Sequence, residues 1–253
     1  LYRNGGSGLF TVPSWVSSEQ SIQGGASAGD IDGDGDPDIG VSRWANFESG
    51  ILENVNGTPS EMPALFATGA FTTDRGSAIG DVDGDGRNDF ALGADDAPTV
   101  WSNSPTGLLA TPTWQGTPPF NGPQDFGLFD ADGDGDLDVA EIHFADGRAH
   151  IYQNNNGVLD VMPTWSFDAP EVGTALAFGD LNNDGRDDLV LGYSGNTSLR
   201  VFFAQAPDCV ADLAEPFGFL DLNDVDAFIV GFQSSDPIAD LAERFGFFDL
   251  SDV

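Results

Sequence analysis

Short apolar runs recur along the chain at nearly even spacing, each hemmed in by polar, glycine-rich stretches. Ile39-Gly-Val41, Phe90-Ala-Leu92, Val139-Ala-Glu-Ile142 and Leu189-Val-Leu191 are rich in apolar and β-branched residues. Runs this short, bounded by Gly, Asp and Asn, predict strands. A second strand per unit is predicted around an aligned asparagine, in Leu1-Tyr-Arg-Asn4, Ile51-Leu-Glu-Asn54, Val100-Trp-Ser-Asn103 and Ile151-Tyr-Gln-Asn154. Nine residues after each asparagine comes a proline (Pro13, Pro63, Pro112, Pro163), and two positions later a large apolar residue (Trp15, Leu65, Trp114, Trp165), which predicts a third strand. A fourth enters the next unit through Ser27-Ala-Gly, Ala78-Ile-Gly, Gly127-Leu-Phe or Ala177-Phe-Gly. No helical period is visible before residue 210.

Three or four strands in about 50 residues predict an all-β fold in which each unit is one blade of a β-propeller. A blade cannot cover its own apolar face, so neighbours must stack. Leu1 begins on the same strand of the unit on which Leu199-Arg-Val-Phe-Phe203 ends. The expectation is therefore at least four blades belonging to a longer propeller, with a blade upstream.

Between the strands the chain writes one acidic nine-residue loop four times. The copies are Asp30-Ile-Asp-Gly-Asp-Gly-Asp-Pro-Asp38, Asp81-Val-Asp-Gly-Asp-Gly-Arg-Asn-Asp89, Asp130-Ala-Asp-Gly-Asp-Gly-Asp-Leu-Asp138 and Asp180-Leu-Asn-Asn-Asp-Gly-Arg-Asp-Asp188. Calcium takes six to eight oxygens in flexible geometry, and carboxylates at alternate residues of a tight loop supply them from one segment. Side chains at positions 1, 3, 5 and 9 are expected to converge. These are Asp30, Asp32, Asp34 and Asp38; Asp81, Asp83, Asp85 and Asp89; Asp130, Asp132, Asp134 and Asp138; and Asp180, Asn182, Asp184 and Asp188. Glycine at position 6 allows a turn that aims the position 7 carbonyl inward. Asp36, Arg87, Asp136 and Arg186 would give that carbonyl while their side chains face water. One Ca2+ per loop, four in all, is the cofactor expected. Ordinary solvated Asp-Gly turns are the plainer reading, but a turn does not require carboxylates in register in several copies.

Charge sharpens this picture. The formal net charge is -34, from 42 acids against eight bases, and all eight bases are Arg. Eighteen of the acids lie inside the four loops, so four divalent ions would relieve repulsion where it is densest. Nucleic acid and anionic membranes are poor partners for such a chain. Apolar content of 40% with 20 Phe and five Trp supports a packed core rather than disorder. No apolar run approaches a membrane span, and no signal peptide is visible. Cys209 is the only cysteine, so no internal disulfide framework exists; it reads as an incidental linker residue or a bridge to another molecule.

The loops begin like an EF-hand, but position 12 is Val41, Leu92, Glu141 or Leu191, inside a strand, so position 9 must close the cage. With Ala177-Phe-Gly-Asp-Leu-Asn-Asn-Asp-Gly-Arg-Asp-Asp-Leu-Val-Leu-Gly192 as the nearest match, residues 1–205 resemble FG-GAP or VCBS repeats. That resemblance implies calcium loops between propeller strands.

Residues 206–253 carry a different duplication, Ala211-Asp-Leu-Ala-Glu-Pro-Phe-Gly-Phe-Leu-Asp-Leu-Asn-Asp-Val225 against Ala239-Asp-Leu-Ala-Glu-Arg-Phe-Gly-Phe-Phe-Asp-Leu-Ser-Asp-Val253. Asp221 is placed to cap a helix whose apolar face would hold Leu222, Val225, Phe228, Ile229 and Phe232. The second copy stops where its helix should start. Tandem loop-helix units look like a small α-helical dockerin-type module, which implies a docking or surface-attachment partner. Its loop positions Asp212, Ala214 and Pro216 depart from the dockerin ligand pattern, so calcium is not expected there.

Catalytic candidates are sparse. His143 and His150 recur in no other repeat, and a lone His on a strand is more often structural. Trp15, Trp114 and Trp165 could stack on sugars, although aromatics at equivalent repeat positions are more often core between blades. The favoured expectation is a secreted or cell-surface, calcium-stabilised, non-catalytic scaffold that binds an extracellular protein or glycan. The alternatives are a catalytic propeller acting on polysaccharide through His143, Glu141 or a channel carboxylate, and a structural repeat in a surface array.

Overall fold

The computed structural model describes residues 12–17, 22–44, 49–63, 65–66, 74–94, 97–117, 123–144, 146–195 and 199–204. The chain divides into two units, Leu1–Phe203 and Ala204–Val253. The Leu1–Asn4 element, Cys209 and the expected C-terminal helices lie outside the described residues. Among the described residues the structure is all-β, with no helix.

Four antiparallel sheets follow one another. The first holds β1 (Ile22–Gly29), β2 (Asp38–Trp44) and β3 (Gly50–Leu52); then come a two-stranded ribbon, β4 (Asn54–Val55) and β5 (Thr58–Pro59), and the outer strand β6 (Leu65–Phe66). The second holds β7 (Asp74–Gly80), β8 (Asp89–Ala94) and β9 (Pro98–Trp101), the ribbon β10 (Asn103–Ser104) with β11 (Gly107–Leu108), and outer strand β12 (Trp114–Gln115). The third is β13 (Pro123–Phe129), β14 (Asp138–His143), β15 (Ala149–Tyr152) and β16 (Trp165–Phe167). The fourth is β17 (Val172–Gly179), β18 (Asp188–Ser194) and β19 (Leu199–Phe202), three strands among the described residues.

Each of the first three sheets runs first, second, third, outer strand, and each acidic loop is the connection from first to second strand. The second strands read as continuous apolar runs because both of their faces are covered; β8 and β14 are buried at every residue. First strands pack in succession, β1 beside β7, β7 beside β13 and β13 beside β17. Every first strand carries a bulge at the same place, for example between Asp74 and Gly76. The bulge brings backbones close: a Cβ on Gly76 would lie 2.5 Å from the Phe126 Cβ of the next sheet.

The cores lie between sheets. Ile51 packs with Phe90, Leu92 and Trp101 at the first interface, and Val100 with Phe126, Val139 and Tyr152 at the second. Ile142 and Ile151 pack with Leu189, Leu191 and Tyr193 at the third. An aromatic from each later sheet meets the outer-strand tryptophan of the one before it. Trp114 stands edge-on to Tyr152 with centroids 5.4 Å apart, and Trp165 meets Phe202 at 5.2 Å. These two tryptophans are therefore interface residues, which disfavours the sugar-stacking role.

Candidate metal centre

Each loop is wound around its own first carboxylate. Asp30 accepts the N–H groups of Gly33 at 2.7 Å and Gly35 at 2.9 Å, and Asp130 repeats this with Gly133 at 2.7 Å and Gly135 at 3.0 Å. Asp81 and Asp180 hold Asp85 and Gly86, and Asp184 and Gly185, in the same way. Positions 3 and 5 each accept the N–H two residues on, as from Asp34 to Asp32 at 3.1 Å and from Asp36 to Asp34 at 2.8 Å. Winding this tight requires left-handed backbone at positions 4 and 6. Glycine supplies it at both in three loops, and Asn183 (φ 62°) with Gly185 in the fourth.

The result is a convergence of oxygens. Asp30, Asp32 and Asp38 each offer one oxygen within 4.8 Å of the others, as do Asp130, Asp132 and Asp138. In the second loop the gathered set is Asp81, Asp83 and Asp85. The position 2 side chains Ile31 and Val82 are buried in the inter-sheet cores and fix these loops to the sheets.

Position 9 does more than close a cage. Asp38, Asp89, Asp138 and Asp188 are fully buried. Asp38 accepts the Ile31 and Asn54 N–H groups, both at 2.8 Å. Asp89 accepts those of Val82 at 3.0 Å and Asn103 at 2.7 Å, and Asp138 those of Ala131 and Asn154, both at 2.7 Å. Asp188 accepts the Leu181 N–H at 2.9 Å. Both oxygens of the first three are thus committed to the backbone, and in the second loop position 9 is not among the gathered carboxylates. Burial pushes Asp89 and Asp138 up to about 6; the donated N–H groups oppose that rise, and nearby Asp83 or Asp132 adds to it. Asp32 and Asp132 are also raised, first by burial and then by their acidic neighbours.

The position 7 side chains stay partly exposed but also make bonds that the sequence did not suggest. Asp36 accepts the Asn56 N–H at 2.6 Å and Asp136 that of Asn156 at 2.5 Å, pinning the left-handed tip that follows the third strand. Arg87 donates to the Asn103 carbonyl at 3.3 Å and pairs with Asp85, so it competes for a candidate ligand of its own loop. Arg186 lies beside Gly133 of the third loop. The fourth loop carries a different competitor, since the Asn182 amide donates to Asp184 at 2.9 Å.

The repeated asparagine was legible as a landmark but not as a bond. Asn103 donates to the Ile31 carbonyl at 2.5 Å and the Asn88 carbonyl at 3.1 Å. Asn154 donates to Val82 at 2.7 Å and Leu137 at 3.1 Å. Each therefore grips position 2 of the preceding loop as well as its own loop. Beside the first of these bonds, Asp30, Asp32, Arg87, Ser104 and Pro105 line an open cleft of about 420 Å³.

The catalytic candidates sit elsewhere and are closed off. Glu141 and His143 are each 1% exposed, with His143 Nε2 3.1 Å from Glu141 Oε1, which also accepts the Tyr152 hydroxyl at 2.9 Å. His150, buried as well, bonds Ser166 at 2.8 Å.

Residues 81–141 and 130–191 match the FG-GAP-like repeat family in two overlapping copies. No curated protein matches. Among solved structures, the V. cholerae biofilm matrix protein Bap1 is similar at 24% identity and a TM-score of 0.39, covering 66% of this chain and 23% of that one. The chain thus spans less than a quarter of that structure. Among the described residues no helix is long and apolar enough to cross a membrane.

Proposed function

We propose that residues 1–205 form a calcium-stabilised, FG-GAP-type β-propeller that serves as a non-catalytic extracellular binding scaffold. The observation that carries this is the convergence of three carboxylates in each of the first three loops, held by backbone donors that shape the loop and leave acidic oxygens facing one another. Oxygen-only donors at such density suit a hard divalent cation. The ion would supply charge neutralisation and a cross-link within the loop, not a reactive centre. Loops one and three, all acidic, are the strongest sites under this reading. Loop two loses part of Asp85 to Arg87, and loop four has Asn182 at position 3, so both are weaker.

The sheets, stacked through their first strands, support a propeller-like arrangement. Their loop ends offer the open cleft by Arg87 and Ser104 to a protein or glycan ligand. The catalytic alternative gains nothing from the site, because Glu141 and His143 face no cleft. A secreted or surface location is part of this proposal, and it suits loops of the extracellular class, which bind calcium at about 0.1 to 1 mM. A docking partner for residues 206–253 remains part of the proposal by resemblance alone.

Thermal unfolding with and without chelator is the test. At tenfold excess over Kd each site contributes about 1.4 kcal/mol, and about 2–4 °C per kcal/mol is typical for a domain of this size. Saturating Ca2+ should raise Tm by at least about 5 °C over the chelated protein. An unchanged Tm, with no calcium bound by calorimetry, overturns the reading.

A further inference from the structure

The fourth sheet differs from its three predecessors at its outer edge. Strands β3, β9 and β15 each carry an antiparallel outer strand in the same register, with Leu65 opposite Ile51, Trp114 opposite Val100 and Trp165 opposite Ile151. The anchoring bond also recurs: Thr113 N–H donates to Val100 at 2.8 Å, and Thr164 N–H to Ile151 at 2.9 Å. Val201 is the equivalent residue of β19, opposite Val190 as Ile151 is opposite Ala140. No outer strand pairs with β19 among the described residues.

The consequence shows in exposure. Ile51, Val100 and Ile151 are 0%, 2% and 8% exposed, whereas Val201 is 45% exposed, flanked by Leu199 at 68% and Phe203 at 57%. In antiparallel pairing the N–H and C=O of alternate residues point to the same side. Val201 therefore presents both to the open edge, as Ile151 presents its carbonyl to Thr164. A largely apolar edge strand with no proline, whose outer backbone has no strand partner among the described residues, is a template for another strand.

The chain also states what such an edge takes. Three times it is an extended segment two residues past a proline, and the same element occurs once more at Pro13-Ser-Trp15. Residues 12–17 lie in no strand, and Val12 and Val16 are 71% and 69% exposed. We propose that β19 is a strand-acceptor edge, occupied by residues 12–17 of a second copy, with Trp15 opposite Val201 and Ser14 N–H donating to the Val201 carbonyl. Among the described residues of one copy nothing covers the edge, residues 12–17 included, and a second copy is the occupant to which this proposal commits. Trp15 and Ser17 have partners within their own chain, so docking is an exchange between copies. If the exchange is reciprocal, it closes as a two-fold dimer. Because each copy carries a net charge of -34, the assembly requires salt or bound cations to screen it.

Sedimentation of the full chain at about 0.15 M salt, with Ca2+, tests this. The expected result is a concentration-dependent dimer. Val201→Pro removes an N–H that faces the open edge and leaves the β18 ladder intact, and Ser14→Pro removes the donor on the other strand. Each should raise the dimer Kd at least about tenfold, while Val201→Thr, which keeps the N–H, should not. A synthetic peptide of residues 11–18 should compete the dimer apart. Circular dichroism and Tm of each variant establish that it is folded; because the two proline variants lie on different segments, one folding failure leaves the other decisive. A chain that stays monomeric up to about 100 µM overturns the proposal, even if the peptide binds it, and so does a dimer that survives both proline substitutions. Neither outcome bears on calcium binding, which the chelation experiment reads separately.

Discussion

Replacing Asn154 by Ala should cost far more than making the same change at Asn54, although the two occupy equivalent places in the repeat. The Asn154 amide is fully buried and donates to Val82 of the preceding loop at 2.7 Å and to Leu137 at 3.1 Å. Its backbone N–H to Asp138 at 2.7 Å survives the substitution, so the anchor of its own loop is kept. Two bonds at about 1 kcal/mol each, plus about 1 kcal/mol for a carbonyl left unpaired in the interface, give about 3 kcal/mol. Asn54 donates only to Pro37, at 2.9 Å in an exposed setting, and its loss should cost about 0.5–1 kcal/mol. Asn103→Ala should behave like Asn154→Ala, since it loses Ile31 and Asn88. Urea unfolding in about 1 mM Ca2+, followed by tryptophan fluorescence, reads the difference directly, provided the m value is unchanged among variants. Equal losses at Asn54 and Asn154 would refute the claim that this side chain joins one repeat to the next.

Three further expectations follow from the same geometry. In chelator, Asp89 and Asp138 sit near 6 when folded against an ordinary 3.8. The folded state therefore binds protons more readily, and stability present at low pH is lost as pH rises through about 6, by on the order of 3 kcal/mol per carboxylate. Tm of the chelated protein should fall between about pH 4 and 6.5, level off above that, and flatten with Ca2+; a flat chelated curve contradicts the assignment. Gly157→Ala should destabilise by more than 2 kcal/mol, against about 1 kcal/mol for Gly135→Ala, by the same unfolding measurement. Both have left-handed backbone, but only at Gly157 would a Cβ meet a neighbour, the Asp83 carbonyl oxygen of the second loop. Arg87→Ala frees Asp85, and calcium titration should show one site tightening severalfold; weaker binding would assign Arg87 a supporting role instead.

The repeat, its strands and its acidic loops were legible because each is local: a nine-residue motif, a proline and an apolar pair recur in register. What stayed hidden is what depends on partners in other elements, 14 to 72 residues away. Asn103 and Asn154 could be aligned, yet their bonds run 72 residues back, to Ile31 and Val82. The bond at position 7 was hidden because its partner, the N–H of Asn56 or Asn156, belongs to a tip 20 residues on. Position 9 read as a ligand by its place in the motif. Only the fold reveals that it is buried with two backbone donors on its oxygens in the first three loops.

That double commitment links the loops to the interfaces. Asp138 holds the Ala131 N–H with one oxygen and the Asn154 N–H with the other, and the Asn154 amide then grips Val82 at position 2 of the second loop. Asp89, Asn103 and Ile31 make the same connection from the second loop to the first. Three loops thus form one chain of bonds in which every third residue is a buried carboxylate. Ionising such a carboxylate strengthens its two backbone bonds but leaves a buried charge beside other carboxylates, a cost that a nearby cation offsets. A cation at one loop should therefore steady the adjacent interface, so metal occupancy and sheet-to-sheet packing are expected to rise and fall together. Calcium affinity at the second loop should then drop in Asn154→Ala, although no candidate ligand has been touched, and an unchanged affinity would separate the two functions.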